Sequence, residues 1–156
     1  MHGLLEIVFE DVLPDRLAGI VVDHMRDEAN IIDAAQDGVP FPTDAVDISR
    51  RLSHIALMDA TVACIINLKA MKIGEKLVPN VTLRIIRYDL HTDVSILFTS
   101  TDCYAAHIST ADELHRWAMR VGEKYGAKDF YGGLDPAEDE KTRLFSKTCV
   151  GPYLTI

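Results

Sequence analysis

Residues 81–100, VTLRIIRYDLHTDVSILFTS, decide the fold. Val81, Leu83 and Ile85 alternate with Thr82 and Arg84, and Val94, Ile96 and Phe98 repeat the alternation after the link DLHTD. Successive side chains of a strand point to opposite faces, so a period of two marks a strand with one buried face. Two such runs joined by a short polar link predict an antiparallel hairpin. An isolated hairpin is marginal in water, so these strands need more sheet and helices to cover them.

Moving toward the N-terminus, ATVACIINLKA (60–70) sets Val62, Cys64, Ile66 and Leu68 at the same period. The run also fits the continuation of a preceding helix, and its β-branched content favours the strand. A turn near VPN (78–80) separates it from the hairpin, and LLEIVF (4–9) reads as a further short strand. From Pro14, a residue suited to a first helical turn, Leu17, Ile20, Val21, His24, Glu28, Ile31, Ile32 and Ala35 follow at helical spacing. That spacing predicts one helix running to a stop at Gly38. GVPFPTD (38–44) is a loop whose Thr43 or Asp44 caps a second helix through about Met58.

On the C-terminal side of the hairpin, STADELHRWAMRVGEKYG (109–126) is the clearest helix. Ala111, Leu114, Trp117, Ala118, Val121 and Tyr125 form its apolar stripe, which places Trp117 in the core. Thr110 with Glu113 makes a capping box, and Gly126 is the stop. The remainder, KDFYGGLDPAEDEKTRLFSKTCVGPYLTI, is turn-rich, with Gly132–Gly133 read as a turn and short pieces at most. The expectation is a single α+β domain over residues 1–156, an antiparallel, hairpin-containing sheet packed with about three helices. A chain of 156 residues buries roughly 70% of its unfolded surface, enough for one core.

Composition limits the function. The chain is 48% hydrophobic and 26% charged, which suits a soluble globular protein. Its net charge of −8 is uneven: residues 1–60 hold twelve acids against four arginines, whereas residues 61–156 balance twelve acids with twelve bases. Such a field disfavours nucleic acid and anionic membranes, both of which require positive charge. It suits a basic protein partner. No apolar run approaches the length of a membrane span, and MHGLLEIVFEDVL has no basic stretch before its apolar run, so neither a span nor a secretory signal is expected. Cys64, Cys103 and Cys149 are odd in number and lack a CxxC pair, which points to thiols in a reducing, cytoplasmic setting.

Candidate chemistry centres on VVDHMRDEANIIDAAQDG (21–38), where five acids and a histidine accompany one arginine. On a helix, His24 and Glu28 would share a face beside Asp27, half of a metal site or an acid–base pair. No HExxH or EF-hand spacing supplies the rest, so a solvated or partner-facing surface is the simpler reading. The six histidines, His2, His24, His54, His91, His107 and His115, are scattered. His115 falls on the polar side of its helix, and a nucleophile pair such as Cys103 with His107 could assemble only in space, since no histidine neighbours a serine or cysteine in a recognisable motif. Gly132–Gly133 lacks the spacing of a phosphate loop, and its neighbours Asp135, Glu138, Asp139 and Glu140 would repel an anion. The aromatics, Tyr153 among them, do not interleave with bases as a nucleic-acid platform requires. Phe130–Tyr131 after the helix stop suits a partly exposed interface anchor.

The run RYDLHTDVSILF…ELHRWAMRVGEKYGAKDFYGGLDPAEDEKTRLF…GPY, over roughly residues 84–153, resembles the C-terminal half of small bacterial immunity proteins of polymorphic or contact-delivered toxin systems. The resemblance implies a cytoplasmic protein, without enzymatic activity or cofactor, that binds one cognate toxin tightly. It carries over no functional residue. Charge and resemblance together predict a binding module that occludes a basic toxin domain. Its partner-binding residues are expected to be Asp23, Asp27, Glu28, Asp33, Asp37, Asp44 and Asp47, with Tyr131, Asp135 and Glu138 as a second set. Two alternatives remain open. One is a small enzyme built on His24 and the neighbouring carboxylates, with or without a metal. The other is a homo-oligomeric scaffold pairing through an exposed edge of the 81–99 hairpin.

Overall fold

Eight strands form one antiparallel sheet in the computed structural model, which describes residues 3–152 and 156. His2 and Tyr153 lie outside the described residues. In chain order the strands are β1 (Leu4–Glu10), β2 (Ile31–Gln36), β3 (Val39–Pro40), β4 (Val62–Ile73), β5 (Lys76–Tyr88), β6 (His91–Thr99), β7 (Asp129–Leu134) and β8 (Arg143–Ser146). Their spatial order is β3-β2-β4-β5-β6-β1-β7-β8. The N-terminal strand β1 therefore sits inside the sheet, between β6 and β7. Four helices, α1 (Leu17–Met25), α2 (Ala45–Ile55), α3 (Ser100–Ala105) and α4 (Ala111–Tyr125), share one apolar core with a single face of the sheet. The α+β class and the antiparallel hairpin follow the sequence reading.

The alternations do what they predict. Val62, Cys64, Ile66 and Leu68 on β4 and Val81, Leu83 and Ile85 on β5 are buried under the helices, so residues 60–70 are strand and not helix. The strand extends to Ile73, and β5 begins at Lys76, so VPN lies within a strand and the turn falls at Gly74, with φ of 63°. Helix α4 keeps its Thr110 cap and its left-handed Gly126 stop, and its stripe is buried. His115 departs from expectation: its ring lies 6.1 Å from Phe130 and 5.5 Å from Phe145, away from the polar face.

Three readings are corrected. The helix expected over 14–38 ends at Met25, where Arg26 takes φ of 70° and Asp27 is extended. Asn30 fixes the break: its amide donates to Met25 O at 2.8 Å and Ala70 O at 2.7 Å, and its side-chain oxygen accepts from Ala70 N at 3.0 Å. Residues 31–36 then pair with β4, with a bulge between Ile31 and Asp33 that disrupts the period-two pattern. Tertiary pairing overrides a spacing that reads equally well as helix. Second, Gly132–Gly133 is no turn but the interior of β7, held between β1 and β8. Third, β5 and β6 are both internal, so the hairpin has no free edge through which copies of the chain could pair. The true edges are the two-residue β3, with Pro40, and the four-residue β8, and such short edges resist strand addition.

The second face of the sheet has its own cover. Residues 135–142, between β7 and β8, run across β1 as a strap, burying Ala137 against Val8 and Tyr131. Tyr131, expected as a partly exposed anchor, is only 5% exposed, and Phe130 lies in the main core. The strap is fastened by Glu6, 4% exposed, whose carboxylate accepts from Ala137 N at 3.0 Å and pairs with Arg84. Asp135 stands 4.0 Å from the same guanidinium. Burial alone would raise the pKa of Glu6, but the amide of Ala137, Ser95 and Arg84 outweigh it and hold the carboxyl below its ordinary value.

Candidate functional site

Where β1, β5, β6 and β7 meet at one end of the sheet, a cleft of about 600 Å³ opens. Its walls carry Glu10 and Asp11 from the end of β1, Tyr88 and His91 flanking the hairpin turn, Asp93 from β6, and Asp129 from the start of β7. Each is positioned by backbone pairing. Tyr88 and His91 are the last partners of the hairpin. The Asp93 carboxylate accepts from Asp11 N at 2.9 Å and from the Tyr88 hydroxyl at 2.8 Å, tying the hairpin to the end of β1. His91 Nδ1 lies 3.4 Å from Asp11 Oδ1, and Asp129 accepts from the amide of Phe130.

Four carboxylates face two lysines in this cleft, and one of those lysines is occupied: Lys147 Nζ donates to the carbonyl of Lys128 at 3.0 Å. The hydrogen bond to Asp93 and partial burial push the Tyr88 phenol up to about 12. Burial and a hydrogen bond to Glu10 also raise Tyr131. Both phenols are neutral at physiological pH, so the anionic character belongs to the carboxylates. Such a site can accept hydrogen bonds from cationic side chains.

The acids singled out from the sequence fall in several places. Glu28, Asp44 and Asp47 meet at the start of α2: Asp44 caps the helix by accepting from Asp47 N at 2.8 Å, and Glu28 accepts from Ala45 N at 2.8 Å. Hydrogen bonding to Asp44, and its charge, raise the pKa of Asp47. Asp27 caps the short turn Glu28–Asn30. Asp33 accepts from the Asn67 amide at 2.7 Å, and Asp37 holds the β2–β3 turn through Ala63 N at 2.9 Å. Asp23 lies apart on α1, where it accepts from the Tyr125 hydroxyl beside Lys124. Asp135 and Glu138 belong to the strap. Several of these carboxylates thus satisfy backbone amides at caps and turns; the sequence reading offered that role to Asp44, with Thr43 as the alternative, and not to the others.

The enzymatic pairings do not assemble. His24 packs edge-on to Trp117 at 5.7 Å and to Tyr125 at 5.9 Å, with Nδ1 on the carbonyl of Ile20, while Glu28 points to α2. Burial lowers the pKa of His24. Cys103 is fully buried, and burial pushes its thiol up to about 12, the opposite of a nucleophile's requirement. Among the described residues no three His, Cys, Asp or Glu side chains converge as metal ligands. No helix among them is long and apolar enough to cross a membrane.

The family model of the PABL017 Cdi1I immunity protein matches residues 3–149. The chain belongs to this immunity protein family. No curated protein matches it. Among solved structures, this immunity protein is similar to a chain of the crystal structure of the toxic C-terminal tip of CdiA from Pseudomonas aeruginosa in complex with its immune protein. The TM-score is 0.76 at 23% identity, over 97% of this chain and 99% of that one, a likeness of fold. The family match, over residues 3–149, extends the resemblance stated for roughly residues 84–153 to the N-terminal half of this immunity protein. The cleft itself escaped sequence reading because its carboxylates come from three strands far apart in the chain, β1, β6 and β7. Only the strand order brings them together.

Proposed function

We propose that this immunity protein binds the toxic C-terminal tip of a cognate CdiA in the cytoplasm and blocks it by occlusion, without chemistry of its own. The family match over residues 3–149 carries the reading, and the carboxylate-lined cleft supplies a mechanism for it. Glu10, Asp11, Asp93 and Asp129 would accept from lysines and arginines of the toxin. The acids at Asp23, Asp27, Glu28, Asp33, Asp37, Asp44 and Asp47, with Asp135 and Glu138, add to the negative field of the whole chain. Such a field steers encounter and raises association above the roughly 10⁵–10⁶ M⁻¹s⁻¹ of neutral pairs. The three free cysteines suit a reducing compartment.

Stopped-flow association with the C-terminal tip of a cognate CdiA protein tests the reading. The Asp11→Asn, Asp93→Asn, Asp129→Asn triple variant keeps side-chain acceptors and removes three charges. Its association rate should fall by about tenfold at low salt and lose most of its salt dependence. An unchanged rate and salt slope would remove the cleft from the interface, and no binding by the parent protein would remove the toxin reading itself.

A further inference from the structure

The hairpin tip beside the cleft breaks a rule that the same chain obeys elsewhere. Tyr88 pairs with His91, leaving the two-residue loop Asp89–Leu90, with φ of 45° and 66°. Two positive φ values in a two-residue hairpin loop define a type I′ turn, which favours Asn-Gly or Asp-Gly. The β2–β3 turn follows that preference, with Asp37–Gly38 at φ of 49° and 80°. At β5–β6, leucine stands where glycine stands in the other turn. A bulky residue in the left-handed region is strained, and strain of this kind is retained where surrounding structure or function demands it.

The Leu90 side chain is 65% exposed and belongs to neither apolar cluster of the fold. The surroundings nevertheless hold it rigidly. Arg87, 6% exposed, donates to Leu90 O at 2.7 Å, to the Thr92 hydroxyl at 3.2 Å and to Met58 O at 2.9 Å. One guanidinium thus locks the tip to the end of α2, where Leu57 is 76% exposed. On its other side the tip borders the acidic cleft through Tyr88 and His91.

We infer that Leu90 is the apolar anchor of the toxin contact, a side chain presented on a strained, arginine-locked turn to enter an apolar hole rimmed by lysines or arginines on the CdiA tip. This rests on the toxin reading above and adds what the carboxylates lack. Steering by charge sets the rate of arrival, whereas a rigid apolar anchor near the centre of an interface sets the rate of departure. The basic rim follows from the carboxylates of Asp11, Asp93 and Glu10 beside the tip.

Leu90→Gly separates this role from a structural one, because glycine relieves the positive φ while deleting the side chain. Calorimetric titration with the same CdiA tip should show affinity weakened by about thirtyfold or more, mainly through faster dissociation. The melting temperature should stay level or rise. Unchanged affinity would overturn the anchor and leave the toxin reading intact. So would a lower melting temperature in parallel with the affinity, since Leu90 would then serve the fold. If the parent protein fails to bind the tip at all, the toxin reading falls and the anchor falls with it.

Discussion

Gly133→Ala is expected to destabilise the protein by about 3 kcal/mol, the upper range for overpacking a filled site. A Cβ at this position would lie 2.7 Å from the carbonyl oxygen of Thr142 and 2.9 Å from the Cα of Arg143, both backbone atoms where β8 begins. Neither can swing aside as a side chain would, so β8 must move off β7. The pairing is already irregular here, with a register shift between Gly132 and Gly133 that brings β8 close. Gly132→Ala meets the ring of Phe145 at 2.5 Å, and that ring is fully buried. For a domain of this size 3 kcal/mol lowers the melting temperature by about 6–12 °C. A thermal melt in which Gly133→Ala matches the parent would mean that β8 does not pack against β7 as described.

Glu6→Ala is expected to cost about 2–3 kcal/mol at neutral pH. Removing one partner of a buried pair leaves the other uncompensated, typically at about 3–5 kcal/mol, and Arg84 retains some access to water, which moderates the penalty. The Ala137 amide also loses its acceptor, so the strap is released along with the charge. Glu6→Gln should cost less, since the amide oxygen still accepts from Ala137. The pH dependence has a definite sign. Glu6 titrates lower in the folded state than its ordinary 4.5, so its contribution is present above that value and is lost as pH falls through the lowered one. Asp135 acts oppositely: burial and the Glu6 charge raise its pKa, so its ionisation works against the fold near neutrality. Denaturant melts across the acid range should therefore show a steeper loss of stability for the parent than for Glu6→Gln. Equal slopes would place the control of acid stability elsewhere.

What the sequence disclosed depended on how local its signals were. Helix α4 was legible because its cap, stripe and stop lie within eighteen consecutive residues and agree with one another. The hairpin was legible for the same reason, though its loop proved to be Asp89–Leu90 alone, with His91–Asp93 already in strand. The segment after Met25 failed because Ile31, Ile32 and Ala35 fit a helical period, while the partner that makes them a strand is β4, about thirty residues later. Gly132–Gly133 failed because a glycine pair reads locally as a turn, and only the approach of β8 explains it as strand. The acidic bias was visible as a total. The cap at Asp44 was legible as one of two candidates, whereas the service of Asp27 and Asp37 to backbone amides depends on turns that composition does not reveal. The Leu90 signal was in the sequence, but it becomes readable only once the hairpin register fixes leucine at a position that favours glycine.

The place of β1 inside the sheet has a consequence during synthesis. Strand β1 leaves the ribosome well before its neighbours and cannot be flanked until both β6 and β7 exist, and β7 ends at Leu134. At about 5–20 residues per second, that interval is on the order of ten seconds, during which β1 waits for its neighbours. Truncation upstream of Asp129 would leave β1 with one side bare and the strap missing. The N-terminal portion therefore cannot complete its sheet as a separate piece, and the fold closes only once residues 129–134 have been made.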